Sequence, residues 1–418
     1  MRSAPWLIAA FGFAACSEAE PSSDAGTAGD LGTTSDAEIS DRGSFDAEVD
    51  AGEPDAALPD LGPEDTGVLP WGEVVVDVTL PRPPALLSEY RLVRLENGVL
   101  RYNEGVVPYE LAAPLFSDYA IKERAIWVPP GTQINYRDLE AFDFPVGSAI
   151  IKSFSFAPDL RQPEIGRRVI ETRVLVKYAD GWQALPYLWR ADGSDADYHV
   201  RGHVEMVDFV DPFGAPRRAT YLVPQKNQCV SCHELNDGQG GTFTTIIGPK
   251  ARYLNRLELG PGAPINQLER WTALGILAGA PPLAQVPSSA QLTTYGSTVG
   301  WTAPQLERAA RDYLDINCAH CHNPQAVQGV TSQLYLNVDN TDEFRLGYCK
   351  EPGSAGSGAG GRRYDIVPGH PEESIVTYRI ESERAGEMMP LLGRSLADTF
   401  GTRLVRAWIQ SLPSLNCD

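Results

Sequence analysis

Between Trp71 and Val223, large apolar residues recur with a period of two. Glu73–Leu80, Ala149–Phe156 and Glu171–Tyr178 are rich in β-branched and aromatic residues, and several positions alternate between apolar and polar. Ala179-Asp180-Gly181, between Tyr178 and Trp182, supplies hairpin chemistry, because glycine tolerates the positive φ of a tight turn. Pro129-Pro130-Gly131 and Ala191-Asp192-Gly193 punctuate the same stretch. Residues 71–223 are therefore predicted to form a mainly antiparallel β domain, a sandwich or barrel. His199, His203 and Met206 fall in one predicted strand. Met206 there shares a face with Val204 and Val210 and reads as core.

After Val223 the period lengthens toward that of a helix. Ile265, Leu268, Trp271 and Thr272 follow Pro264 at helical spacing, and Leu306, Ala310, Tyr313 and Leu314 follow a capping box running from Thr302 to Gln305. Leu404, Val405, Trp408, Ile409 and Leu412 form a last apolar stripe. The expected fold class is thus α+β multidomain, a mainly antiparallel β domain followed by a mainly α-helical region that divides into 224–300 and 301–418.

The N-terminus has a different pattern. Arg2, an apolar run from Pro5 to Phe13, and small Ala14 and Ala15 before Cys16 give residues 1–16 the layout of an export signal. Phe13-Ala14-Ala15-Cys16 resembles a lipoprotein signal box, which makes Cys16 the expected acylated residue. An ordinary secretory signal cut near Ala15 is the alternative, and both place the mature chain outside the cytoplasm. Residues 17–70 hold fifteen acids and one base, Arg42, with few large apolar residues, and read as a disordered acidic tether. Most of the net charge of −20 therefore belongs to the tether. No basic stripe supplies the phosphate-neutralising charge that nucleic-acid binding requires.

The chemistry sits in two pentapeptides, Cys229-Val230-Ser231-Cys232-His233 and Cys318-Ala319-His320-Cys321-His322. In a Cys-x-x-Cys-His run the two thiols add across the vinyl groups of haem, and the adjacent imidazole binds the iron. Cys229, Cys232, Cys318 and Cys321 are therefore candidate covalent attachment points, and His233 and His322 candidate axial ligands, for two haem c groups. A Cys₄ zinc site or two disulfides would use the same cysteines, but neither needs a histidine after each pair. A thioredoxin-like pair lacks the βαβ setting it requires. The glycine-rich run from Gly353 to Gly361 reads as a loop, since nothing places it before a phosphate-binding helix.

Asn317-Cys-Ala-His-Cys-His-Asn-Pro324, Tyr364-Asp-Ile-Val-Pro-Gly369, Met389-Pro390 and the Trp408 segment resemble an uncharacterised family of bacterial diheme c-type cytochromes. Val107-Pro-Tyr-Glu-Leu111, Pro114-Leu-Phe-Ser-Asp-Tyr119, Ile126-Trp-Val-Pro-Pro-Gly131, Phe142-Asp-Phe-Pro-Val-Gly147 and Asn227-Gln-Cys-Val-Ser-Cys-His233 extend the resemblance over most of the chain beyond Trp71. It implies covalent haem in a cytochrome c-like helical region, and electron transfer with unknown redox protein partners. It implies no substrate. His370 departs from the family, which more often has an acid before Pro371; it reads as an exposed helix-start residue. Met389, in a Met-Pro loop where such ligands sit in the resembling proteins, is the expected distal ligand of the second haem, with Met388 as rival. No Met or His lies between His233 and Cys318. The first haem must then draw a ligand from Met206, His203, His199, His370, Met388 or His320, or stay open. Cys349 and Cys417, the thiols left over, are expected to pair as a disulfide, or else to stay free and buried.

Three functions follow: a lipid-anchored electron carrier, favoured; a peroxidase-like haem enzyme with an open first haem; or a β-domain docking module whose partner receives electrons from the haems.

Overall fold

A computed structural model of the chain describes residues 71–258, 264–293, 296–327 and 332–418. The expected export segment at 1–16 with Cys16, and the acidic stretch at 17–70, lie outside the described residues.

The strands up to Val223 run β1 (Val93–Glu96), β2 (Val99–Tyr102), β3 (Val106–Pro108), β4 (Ile121–Trp127), β5 (Ile134–Asn135), β6 (Ala149–Phe156), β7 (Arg168–Tyr178), β8 (Gly181–Trp189), β9 (Ala196–Tyr198), β10 (His203–Val210) and β11 (Pro216–Val223), and short strands of two or three residues follow. A six-stranded antiparallel sheet in the order β3-β4-β6-β7-β8-β9 organises the molecule. The β7–β8 turn is the two-residue loop Ala179-Asp180, with Tyr178 opposite Gly181 at φ 136°.

Successive side chains of a strand point to opposite faces, and here both faces are covered. Ala125, Ile151, Val174 and Leu185 pack on one side against Leu87 and Tyr90. Ile126, Ile150 and Leu175 pack on the other into a core completed by Trp271, Leu314, Leu404 and Trp408. Phe154 and Phe156, near the end of β6, meet Phe209 and Tyr221 from the β10–β11 hairpin in a third cluster.

The helices are α1 (Val230–His233), α2 (Ala251–Leu254), α3 (Gln267–Ala273), α4 (Ala303–Leu314), α5 (Glu343–Leu346), α6 (Ile375–Glu381) and α7 (Thr399–Ser411). The capping box at Thr302 and Gln305 opens α4, and the buried stripe Leu404, Val405, Trp408 and Ile409 runs along α7. None of the helices among the described residues is long and apolar enough to cross a membrane.

Three expectations are corrected. The α+β multidomain class with a mainly helical, cytochrome c-like second half does not hold: strand outweighs helix, and only α4 and α7, of 12 and 13 residues, exceed two turns. The helices after Val223 are short, α4 and α7 pack on each other, and their apolar stripes join one core with a face of the sheet, so Gly67–Asp418 form one compact unit rather than a β domain followed by a helical one. Glu73–Leu80 alternates as anticipated, with Val74, Val76 and Val78 against the core, yet it forms no strand. Met206 is 55% exposed, because Val207 and Phe209 face inward and the opposite parity of β10 faces solvent.

Candidate haem-attachment site

Both pentapeptides fold into one helical turn closed by the same bond. His233 N–H donates to the Cys229 carbonyl at 3.0 Å, and His322 N–H donates to that of Cys318 at 2.9 Å. Residues three and four apart share a helix face, so each turn presents two thiols and an imidazole on one side. The second motif leaves α4 through a wide turn over Asp315–Ala319, a helical irregularity of the kind that accompanies functional sites.

The two motifs lie against each other. The Cys321 thiol donates to the Ser231 carbonyl at 3.2 Å, and Cys232, Cys321 and His320 bring their ligand atoms within 4.8 Å of one another. In the unmodified chain the neighbouring Cys321 and His320 hold the Cys232 thiol below its usual range. Burial pushes Cys318 up to about 12.

A cavity of about 490 Å³ opens beside this junction, within the usual range for small-molecule sites. Cys318, Cys321 and His322 line it together with Leu334, Ile375 and Met389. Cys232 and His320 line it as well; Met388 does not. Burial depresses His322 to about 4, keeping it in the neutral form that binds a metal, and leaves its Nδ1 without a hydrogen bond.

Asn317, directly before Cys318, accepts a hydrogen bond from Phe116 N–H at 2.7 Å and donates to the Tyr313 carbonyl at 3.0 Å. Asp118 accepts from the backbone N–H groups of Ser395 and Leu396 at 2.6 and 2.8 Å. Pro114–Tyr119 therefore ties Asn317 of the cavity lining and the Ser395–Leu396 segment to one stretch of chain. Buried Arg394 donates to the carbonyls of Met389, Arg379, Ser382 and Leu396, clamping the methionine loop. Sequence reasoning passed over Asn317, Asp118 and Arg394; the available signal was the position of Asn317 and Asp118 inside the quoted motifs. A disulfide joins Cys349 to Cys417 with Cα atoms 5.0 Å apart.

The first motif is set differently. His233 places Nδ1 at 2.8 Å from the Thr245 carbonyl, which orients the ring and leaves Nε2 for a metal. Burial lowers its pKa as well. Its outer flank is a shallow hollow lined by Val200, Arg201, Gln225, Lys226, Asn227 and Val230. Of the distal candidates, only His320 reaches the cavity; His199 holds the Gly202 carbonyl, His370 holds Ser414, and Met206 takes a hydrogen bond from Thr220.

The residues suit haem at the second motif, where an imidazole and a thioether face one apolar cavity next to paired thiols. At the first motif the donor set and the oriented imidazole suit it, with an open flank. Compared with protein-family models, with curated proteins and with solved structures, the chain finds no match.

Proposed function

We propose that the chain is a c-type cytochrome carrying two covalent haems, exported and lipid-anchored through Cys16, which passes electrons between redox proteins outside the cytoplasm. The observation that carries this reading is the shared geometry of the two Cys-x-x-Cys-His turns, one of them opening with Met389 onto a cavity. Bound haem would supply one-electron iron chemistry. The cysteines tether the group, His233 and His322 offer neutral imidazoles, and Met389 offers a sulfur ligand that favours the reduced state. Arg379 lines the cavity, donates to the Glu387 carbonyl and has no carboxylate partner among the described residues, so it is free to meet the acidic edge of the second haem. Contact between the motifs keeps the two attachment points together, which suits electron passage from one haem to the other.

A second reading has its own observation. Cys232, His320 and Cys321 form a soft three-ligand cluster suited to zinc or copper(I). Iron and zinc content together with the pyridine haemochrome spectrum of the purified full chain separate the two. Two irons per chain with a thioether-haem spectrum support the cytochrome; stoichiometric zinc or copper with no haem spectrum supports the cluster.

A further inference from the structure

One group of side chains outside the two motifs is set as metal ligands are. His370, Glu372 and Glu373 bring one ligand atom each to within 4.8 Å of one another. The backbone beneath them is locked. Buried Ser374 accepts from Val367 N–H at 2.9 Å and donates to the His370 carbonyl at 3.0 Å, and Pro371 sets φ at the first position of the short turn Pro371–Glu373. Gly369, at φ 84°, leaves room for the C-terminal segment, since a Cβ there would stand 3.0 Å from Ser414 Cα. Ser414 so placed puts its hydroxyl 3.0 Å from His370 Nε2. That contact orients the ring and leaves Nδ1 to face Glu372, 3.6 Å from Oε1. The gap is too long for a hydrogen bond. It is close to the edge of about 3.4 Å that a tetrahedron with metal–ligand bonds of about 2.1 Å requires. Neither carboxylate pairs with a lysine or arginine among the described residues, and Arg362 donates to the Glu372 backbone carbonyl instead.

We propose that His370 Nδ1, Glu372 and Glu373 form a binding site for a zinc(II) ion, with three ligands from the protein and the fourth position open to water. The donor set selects the metal: calcium and magnesium take oxygen ligands, whereas an imidazole beside two carboxylates suits a borderline ion, and the carboxylates neutralise its charge. Ser414 fills the role of the outer partner that orients a ligating imidazole through its second nitrogen. All three ligands reach solvent, which gives the ion an entry path. Through the His370–Ser414 contact, a bound ion ties the turn to the C-terminal segment. The site shares no residue with either pentapeptide, so it stands independently of the diheme reading.

The test is a calorimetric titration of the purified, chelator-treated full chain with zinc chloride, wild type beside His370→Ala, Glu372→Gln, Ser414→Ala and Cys232→Ser. Wild type is expected to take up zinc saturably, with a site that His370→Ala abolishes and Glu372→Gln weakens. Ser414→Ala, which keeps every ligand, is expected to bind about tenfold more weakly, as loss of an outer partner does. Copper(II) serves as a paramagnetic probe of the same site: its EPR spectrum should show coupling to one imidazole nitrogen in wild type and none in His370→Ala. Far-UV circular dichroism matching wild type shows that these exposed substitutions leave the fold intact. Zinc uptake that survives His370→Ala and Glu372→Gln but is lost in Cys232→Ser assigns the metal to the thiol cluster and overturns the site. Absence of saturable zinc binding in wild type overturns it as well, and in neither case is the haem content of the chain called into question.

Discussion

The two attachment motifs share a backbone turn and differ in what surrounds them. Cys318–His322 opens onto a cavity closed by Met389, with Asn317 and Asp118 tying its walls to the sheet and Arg394 clamping the methionine loop. Cys229–His233 has an imidazole fixed by the Thr245 carbonyl and an open flank, lined by Arg201 and Lys226 among others, in place of an apolar wall. Two Cys-x-x-Cys-His turns of the same geometry are thus given two environments by one scaffold. Environment, rather than the motif, sets ligand access and potential.

The difference is broken most completely at Met389. In the holoprotein, cyanide or carbon monoxide is expected to bind at the first haem and not at the second. Met389→Ala should abolish the methionine-to-iron charge-transfer band and let the second haem take up the external ligand, whereas Met388→Ala should do neither. Loss of the band in Met388→Ala instead would move the ligand by one residue. Failure of the first haem to bind any external ligand would remove the peroxidase-like alternative.

Smaller effects test how firmly the second side is built. The Cys349–Cys417 disulfide closes a span of 68 residues around the cavity wall. Its removal in Cys349→Ser is expected to cost about 4 kcal/mol in denaturant unfolding, as the chain-entropy model gives for a loop of that size. Arg394→Ala strands four backbone carbonyls in a buried setting. A loss of about 3 kcal/mol is expected, together with a weakened methionine band, because the Met389 carbonyl is among the four.

A pH-dependent effect belongs to the sheet. Burial holds the Lys122 ammonium at about 7, against 10.5 for a free lysine. Between those values the unfolded chain binds more protons than the folded one, so stability of the haem-free protein should rise with pH from about 7 to about 10.5. Lys122→Met is expected to flatten that rise, as measured by urea midpoints across the window. An unchanged slope in Lys122→Met would show that burial of Lys122 does not set the rise.

Periodicity made the sheet legible. Ala149–Phe156 and the Ala179-Asp180 turn lie where alternation and glycine chemistry put them, and α4 starts at its capping box. The architecture after Val223 was not legible, because an apolar stripe such as Leu404 to Ile409 marks a buried helix face without saying whether the core it joins is a helical bundle or, as here, a helix pair sharing a core with a sheet. Alternation also failed to separate Met206 from Val207, since an exposed hairpin carries valines on both faces. At the site, the pentapeptides stood out through chemistry that few other arrangements need. Asn317 and Asp118 did not, because each acts through partners distant in sequence, and Arg394 did not, because its four carbonyl partners converge only in the folded loop.

The central claim is that both pentapeptides carry haem, and intact-mass analysis of the full chain, expressed with the c-type maturation machinery, tests it most directly. Two haem additions are expected, one on the peptide containing Cys229 and Cys232 and one on that containing Cys318 and Cys321. A chain without haem whose four cysteines remain open to alkylation would contradict the account.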